Sequence, residues 1–196
     1  HTAIELDGAL LALIGLVRIG SRVAKIASAM GMRVTAYDPF EAAERFEDLG
    51  VERASNLHDA VSSAHIVSIH APLTPETRHL VDAELFSQMQ DGVLIVNTAR
   101  GGLIDDHALL AALNSGKVAG AGLDVTEPEP LPSGHPLLDH QRVVVTPHVA
   151  SATNEGRKRI FGMALEQILC ALGGIKPSHI LNPEVWPGRN SERVDT

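Results

Sequence analysis

Apolar residues follow two rhythms along this chain, short continuous runs and longer amphipathic stretches, and the two alternate. Leu10-Leu11-Ala12-Leu13-Ile14 is an apolar run of strand length that stops at Gly15. Apolar residues then recur at Ile19, Val23, Ile26, Ala27 and Met30, the spacing of one helix face, and Gly31 closes the helix. The same reading predicts further strands over 33–38, 65–70, 92–98, 118–125 and 142–146. It predicts helices over 41–49 with a stop at Gly50, over 56–63 with Ser55 or Asn56 as cap, and over about 82–89. A fifth helix runs from a cap at Asp105 or Asp106 to Asn114, with a stop at Gly116. A long amphipathic helix opens at Thr153 or Asn154, carries Ile160, Phe161, Ala164, Leu165, Ile168, Leu169 and Leu172, and ends at Gly173-Gly174. Continuous apolar strands separated by helices are the pattern of a parallel sheet covered on both faces, so the expected class is a doubly wound α/β fold. From Ile175 onward, with Pro177, Pro183, Trp186 and Pro187, periodicity vanishes and an extended tail is expected.

Composition narrows the picture. The 196 residues are 44% hydrophobic with mean hydropathy near +0.07, which fits a globular chain. A net charge of −8 without a run of like charge argues against nucleic acid or an anionic membrane as partner, and 3% aromatic residues leave nothing for base-stacking platforms. Cys170 is the single cysteine, lies in the last helical pattern and cannot form an internal disulfide, as suits a reducing cytoplasm. No stretch reaches about 18 apolar residues, and His1-Thr2-Ala3-Ile4-Glu5 lacks the regions of a signal peptide. The first residue is not methionine, and we read the chain as a fragment or an excised domain.

The opening strand, turn and helix lead to a second strand ending in Asp38, eighteen residues after Gly20. This is the layout of a dinucleotide-binding βαβ unit, in which a helix N-terminus meets a pyrophosphate and the acid accepts from both ribose hydroxyls, favouring NAD over NADP. The phosphate turn, Gly15-Leu16-Val17-Arg18-Ile19-Gly20, carries valine where the fingerprint has its middle glycine. If that position requires a left-handed backbone, a β-branched residue there costs about 1–3 kcal/mol, which predicts NAD binding roughly ten- to a hundredfold weaker than with glycine.

In such sheets ligands bind beyond the carboxyl ends of the strands. Three residues stand there with complementary chemistry: Arg100 after the 92–98 strand, Glu129 after the 118–125 strand, and His148 after the 142–146 strand. An imidazole exchanges protons near neutrality, a carboxylate holds and charges it, and a guanidinium clamps a carboxylate and polarises a carbonyl, which is a set for reducing a 2-oxo acid. Singly each could be a surface group; their shared edge is what points to chemistry. His58, His107, His135, His140 and His179 are assigned to surface or loop packing. No histidine, cysteine and carboxylate spacing resembles a zinc site, so no metal is expected, and no G-x-S-x-G elbow supports a hydrolase.

Gly15-Leu16-x-Arg18-Ile19-Gly20, Tyr37-Asp38-Pro39, His70-Ala71-Pro72-Leu73-Thr74-Pro75-Glu76-Thr77, Asn97-Thr98-Ala99-Arg100-Gly101-Gly102, Gly122-Leu123-Asp124-Val125, Glu129-Pro130 and Thr146-Pro147-His148 together resemble the NAD-dependent D-2-hydroxyacid dehydrogenases. The resemblance implies a Rossmann-like cofactor domain and hydride transfer between NAD(H) and a small 2-hydroxy or 2-oxo acid. It implies Arg100 as substrate anchor, His148 as general acid and Glu129 as its support. Arg18 and Ile19 would line the pyrophosphate, Asp38 the adenosine ribose, Pro72 and Thr77 the adenine side, and Thr98, Ala99 and Asp124 the nicotinamide side. Gly15, Val17, Gly20, Pro39, His70, Arg100, His148 and Ala150 complete the cofactor set. It also implies a cytoplasmic homodimer built through the cofactor domain, without nucleic acid or membrane partners.

Family members wrap a second, substrate-binding domain around this one. Residues 1–8 are accordingly expected to be a linker from that domain, 9–174 the NAD-binding domain, and 175–196 a tail returning toward it. The chain alone is then expected to expose apolar surface, to bind cofactor weakly and to turn over little. Two other readings remain open at this stage: an NAD-responsive, non-catalytic binding protein like the corepressors that resemble the family, and a degenerate domain that binds nothing.

Overall fold

The computed structural model describes residues 4–186. Among them seven parallel strands form one sheet: β1 (Leu10–Ile14), β2 (Arg33–Tyr37), β3 (Glu52–Arg53), β4 (Ile66–Ile69), β5 (Val93–Asn97), β6 (Val118–Leu123) and β7 (Val143–Val145). Their spatial order is β3-β2-β1-β4-β5-β6-β7. The chain steps outward from β1 to β3, comes back to the other side of β1 as β4, and runs out to β7. Strand order therefore reverses between β1 and β4, and the crevice above that point begins at Gly15 and His70, the residues that follow the paired ends Ile14 and Ile69.

The connecting helices are α1 (Arg18–Ala29), α2 (Ala43–Leu49), α3 (Leu57–Val61), α4 (Ala83–Gln88), α5 (Asp106–Ser115) and α6 (Pro136–Asp139). β1 shows why its sequence is apolar at every position. Leu11 and Leu13 join a core with Ala24 and Ala27 of α1 and Phe46 of α2, whereas Ala12 and Ile14 join a second core with residues of α3, α4 and α5. Both faces are covered, so neither parity can be polar. Asn56, Asp82 and Asp105 cap α3, α4 and α5 by accepting backbone N–H bonds, and Gly50 and Gly116 end α2 and α5 in left-handed conformations.

One expected face is overturned. The buried residues of α1 are Gly20, Ser21, Ala24 and Ala27, while Ile19, Ile26 and Met30 of the apolar series lie more than half exposed. At the start of the helix only glycine fits, because α1 lies so close to the turn that leaves β1 that a Cβ at Gly20 would stand 2.2 Å from the Gly15 carbonyl oxygen. The short β3 and α6 were not predicted; two-residue and four-residue elements carry too little periodicity to register.

The described residues fall into two compact units that divide after Val149. The first holds the whole sheet and α1–α6, and Ile4 and Leu6, in the stretch expected to be a linker, pack against its β1–α1 core. The second holds α7 (Asn154–Leu172), capped by Thr153, and the tail. No residue of α7 is buried, and Phe161 and Leu172 are among its exposed apolar side chains. The tail lies against α7, where Gln167 Oε1 accepts from the His179 N–H at 3.0 Å, and it forms a 3-10 turn at Pro183–Val185.

Candidate active site

The phosphate turn is held by a carboxylate. Asp38, nearly buried at the end of β2, accepts from the Leu16 N–H at 2.8 Å through Oδ2 and from the Phe40 N–H at 3.0 Å through Oδ1. The predicted ribose acid thus also ties the β1–α1 turn to the loop after β2, a role its spacing did not reveal. Gly15 takes the left-handed conformation (φ 98°), and a Cβ there would stand 2.9 Å from the Ala71 nitrogen. Val17 does not follow the expectation. Its φ is −67° with ψ −154°, an extended rather than a left-handed backbone, because the positive φ of the turn falls two residues earlier, at Gly15. The strain that predicted weak NAD binding is absent. Val17 is the N-cap of α1 but supplies no side-chain bond to the helix, and the first turn holds no acid. With Arg18 and Ile19 exposed beside it, this helix end presents its orphan N–H groups and positive dipole to an anion.

Beside the turn lies a cavity of about 460 Å³ whose lining includes Tyr37, Asp38, Pro39, Phe40, Pro72 and Thr77. Thr77 acts in the wall itself: its hydroxyl donates to the Pro72 carbonyl at 2.7 Å and accepts from the Thr74 N–H at 2.8 Å, closing the 72–77 loop. A mostly apolar slot that carries the Asp38 carboxylate, with Glu76 also in its lining, beside a free helix N-terminus fits the adenosine and pyrophosphate of a dinucleotide. His70, on the floor between the glycines, is bonded to the Ser68 hydroxyl at 3.0 Å, and burial lowers its pKa to about 4. It is neutral at physiological pH and serves as packing and hydrogen-bonding surface rather than as an acid.

The three predicted catalytic residues all lie in the first unit, at the carboxyl ends of β5, β6 and β7. Buried Asn97 ends β5 and clamps the next three residues, accepting from the Ala99 N–H at 3.0 Å and donating to the Arg100 carbonyl at 2.9 Å. Thr98 and Ala99 are thereby fixed, half-buried, and Arg100 emerges exposed with a guanidinium bond to the Ala99 carbonyl at 2.6 Å. Gly101 lets this loop touch the next one: a Cβ there would fall 2.0 Å from the Thr126 carbonyl carbon. That neighbour carries Glu129, which accepts from His148 Nδ1 at 2.7 Å through Oε1 and from the Thr126 N–H at 3.4 Å through Oε2. The bond from His148 holds the Glu129 carboxyl below its usual pKa; the Thr126 N–H and the charges of His148 and Arg100 act in the same direction, against a desolvation cost.

His148 has a left-handed backbone (φ 53°), and Asp124 surrounds it. The Asp124 carbonyl accepts from the His148 N–H at 2.9 Å, and its Oδ1 accepts from the Thr146 hydroxyl at 2.6 Å and the Val149 N–H at 2.8 Å. Asp124, expected on the nicotinamide side, is therefore first the strut that poses the histidine, and Asn97 is the equivalent strut for Arg100. Neither strut role was read from the sequence, since a buried polar residue at a strand end looks the same whichever loop it holds. Ala150 opens the second unit. Among the described residues no group of three or more His, Cys, Asp or Glu side chains could hold a metal ion, and no helix is long and apolar enough to cross a membrane.

The family described as D-isomer specific 2-hydroxyacid dehydrogenase, NAD binding domain, matches residues 1–150. Glyoxylate reductase of Aeropyrum pernix is 43% identical over 182 residues, covering 93% of this chain and 54% of that protein. D-3-phosphoglycerate dehydrogenase of Methanocaldococcus jannaschii is 42% identical, covering 91% of this chain and 34% of its own length. A crystal structure of D-lactate dehydrogenase with NAD+ from Lactobacillus jensenii superposes with a TM-score of 0.85 at 30% identity, over 92% of this chain and 57% of that one. The chain spans about half the length, or less, of the curated relatives it matches. By the matched domain and by this kinship, the chain belongs to the D-isomer-specific 2-hydroxyacid dehydrogenase family.

Proposed function

We propose that this chain is the cofactor-binding and catalytic part of an NAD-dependent D-2-hydroxyacid dehydrogenase that interconverts a small 2-oxo acid and its 2-hydroxy acid. The observation that carries the reading is the 2.7 Å pair of His148 and Glu129 at the sheet edge that also presents Arg100. NADH, when bound, supplies the hydride that reduces C2 of the oxo acid. Arg100 anchors the substrate carboxylate, a pairing guanidinium makes with two parallel N–H bonds. His148 gives the proton on Nε2 to the carbonyl oxygen. Its Nδ1–H stays with Glu129, which stabilises the imidazolium before transfer and leaves the neutral ring in one defined tautomer afterwards. Asp38 and the first turn of α1, with Val17, Arg18 and Ile19, hold the adenosine ribose and pyrophosphate; Pro39, Pro72 and Thr77 line the adenine, and Thr98, Ala99 and Asp124 the nicotinamide half. An acid at the Asp38 position disfavours a 2′-phosphate, so the cofactor is NAD rather than NADP.

In this reading the stretch before residue 9 leads in from a substrate domain, 9–174 form the NAD-binding domain and the stretch from 175 leads back toward the substrate domain, residues 1–3 and 187–196 lying outside the described residues. The enzyme is a cytoplasmic homodimer joined through the cofactor domain, without nucleic acid or membrane partners; exposed Leu138 and Val144 in the β7 region suit such a contact, and sedimentation checks it. A thermal-shift titration of the chain tests the cofactor reading. NADH at about 100 times its dissociation constant stabilises by roughly 2.7 kcal/mol, a rise of about 5–10 °C, with a smaller response to NADPH at equal concentration. An unchanged melting temperature at millimolar NADH would overturn it.

A further inference from the structure

The loop that carries Glu129 has little of its own to hold it. Pro128 and Pro130 have no N–H to give, and the stretch stands between two cavities: Glu127 and Pro128 line one of about 550 Å³ with Arg78, Asp106 and His135, and Glu129 and Pro130 line another of about 470 Å³. Its position is therefore set by side chains. The Thr126 hydroxyl donates to the Pro128 carbonyl at 3.0 Å, Glu129 meets His148, and Arg78 Nη2 donates to Glu127 Oε1 at 2.8 Å from 49 residues away.

Arg78 is a firm anchor for that bond, because the backbone beside it is stitched to the loop after β5. The His79 N–H donates to the Gly102 carbonyl at 2.8 Å, the Val81 N–H to the Leu103 carbonyl at 3.0 Å, and the Asp105 N–H returns to the Val81 carbonyl at 3.0 Å. The ion pair lies directly on Gly102, where a Cβ would stand 2.6 Å from Glu127 Oε2 and 2.9 Å from Arg78 Nη1. Both side chains are half-exposed, so the pair adds little to overall stability. Its effect is local, since Glu127 stands two residues before Glu129 in a loop outside strand and helix. The charges that act on Glu129 directly are those of His148 and Arg100.

We propose that Arg78 and Glu127 are positioning residues for the proton transfer: their ion pair keeps the 126–130 loop seated on Gly102 and so holds Glu129 against His148. The inference rests on the proposed reading of His148 as the acid of the reaction.

The test reads Glu129 itself, by the pH titration of its carboxyl carbon in NMR of the 196-residue chain, with Glu129→Gln to identify the resonance. In the parent the bond from His148 keeps this carboxyl below its ordinary range. Arg78→Gln, Glu127→Gln and the double variant each release the loop, so the Glu129 titration moves up toward the ordinary range by the same amount in all three, while Arg78→Lys stays with the parent. Charge alone predicts another pattern: removing the Arg78 cation raises a neighbouring carboxyl, removing the Glu127 anion lowers it, and removing both nearly cancels. All these variants melt within about 4 °C of the parent. In an enzyme whose cofactor half is this chain, the three uncharged variants lower kcat for glyoxylate reduction about two- to fivefold and leave KM within about twofold, because Arg100 is clamped independently by Asn97. A Glu129 titration that is unmoved or falls in Glu127→Gln, shifts that add in the double variant, or an unchanged kcat would each overturn the positioning role while leaving the proposed function in place. A parent enzyme that reduces no 2-oxo acid would overturn the proposed function, and the part of the pair in it.

Discussion

Replacing Gly20 by alanine is expected to lower stability by about 2 kcal/mol, a net of two opposed effects. A methyl group there would stand 2.2 Å from the Gly15 carbonyl oxygen, where Cβ atoms keep beyond 3.0 Å, and the obstacle is backbone rather than a side chain that can turn away. The start of α1 and the turn at Gly15 must therefore separate by most of an ångström, displacing the N–H groups of the first helical turn. Overpacking of this kind costs about 1–3 kcal/mol, and a backbone obstacle belongs at the top of that range. Against it, alanine is a better helix former than glycine by about 1 kcal/mol. For a chain of this length the net corresponds to a fall in melting temperature of roughly 4–8 °C, read by circular dichroism, together with weaker NADH binding. The control is Val17→Gly. Because Val17 already has φ −67°, glycine relieves no strain, so melting stays within about 2 °C and NADH affinity within about threefold. A Gly20→Ala chain that melts like the parent would refute the close-packing account, and a tenfold gain in Val17→Gly would restore the middle position as the one that limits binding.

Two further expectations concern pH. His70 titrates near 4 in the fold but near 6.5 when unfolded, so its contribution is complete above 6.5 and is lost as pH falls toward 4; at about 1.4 kcal/mol per unit this is about 2 kcal/mol between pH 7.5 and 5. His70→Gln should flatten the urea midpoint over that interval, and an unchanged slope would contradict the assignment. Asp106 has its carboxyl pKa raised, chiefly by burial, and its Oδ2 lacks a hydrogen bond, with His135 Nε2 at 3.9 Å. A raised acid favours the fold below its unfolded pKa and loses that contribution as pH climbs through the folded value, so Asp106→Asn should raise the melting temperature at pH 7 and bring no gain at pH 3.5; a lower melting temperature at pH 7 would count against it.

Legibility in the sequence followed the physical origin of each signal. The strands could be read because a sheet covered on both faces admits no polar parity, and β1 with its two cores is the plainest instance. Caps such as Asn56 and Asp105 and stops such as Gly50 and Gly116 could be read because each satisfies a local backbone need. The buried face of α1 could not, since periodicity reports where large apolar residues recur and not how closely a helix must approach, and here proximity selected Gly20, Ser21, Ala24 and Ala27. Arg100, Glu129 and His148 were found as strand-end residues of complementary chemistry. Asp124 was invisible as a support because its side-chain bonds reach Thr146 and Val149, far along the chain, and Asn97, whose bonds stay within three residues, because a buried polar residue at a strand end looks the same whichever loop it holds. The left-handed backbone expected at Val17 was misplaced because a fingerprint assigns glycine to a position without saying which position bends; the bend is at Gly15.

The central claim is that Glu129 sustains His148 as the acid that protonates the substrate carbonyl. It is tested most directly by the pH dependence of kcat/KM for glyoxylate or hydroxypyruvate reduction in an enzyme whose cofactor half is this chain, for instance grafted into the Aeropyrum pernix glyoxylate reductase. Glu129→Gln should move the fall of activity to lower pH while leaving appreciable turnover in acid, and His148→Ala should lose about a hundred- to ten-thousandfold at every pH. A Glu129→Gln profile that overlays the parent, or His148→Ala turnover within tenfold of it, would contradict the account.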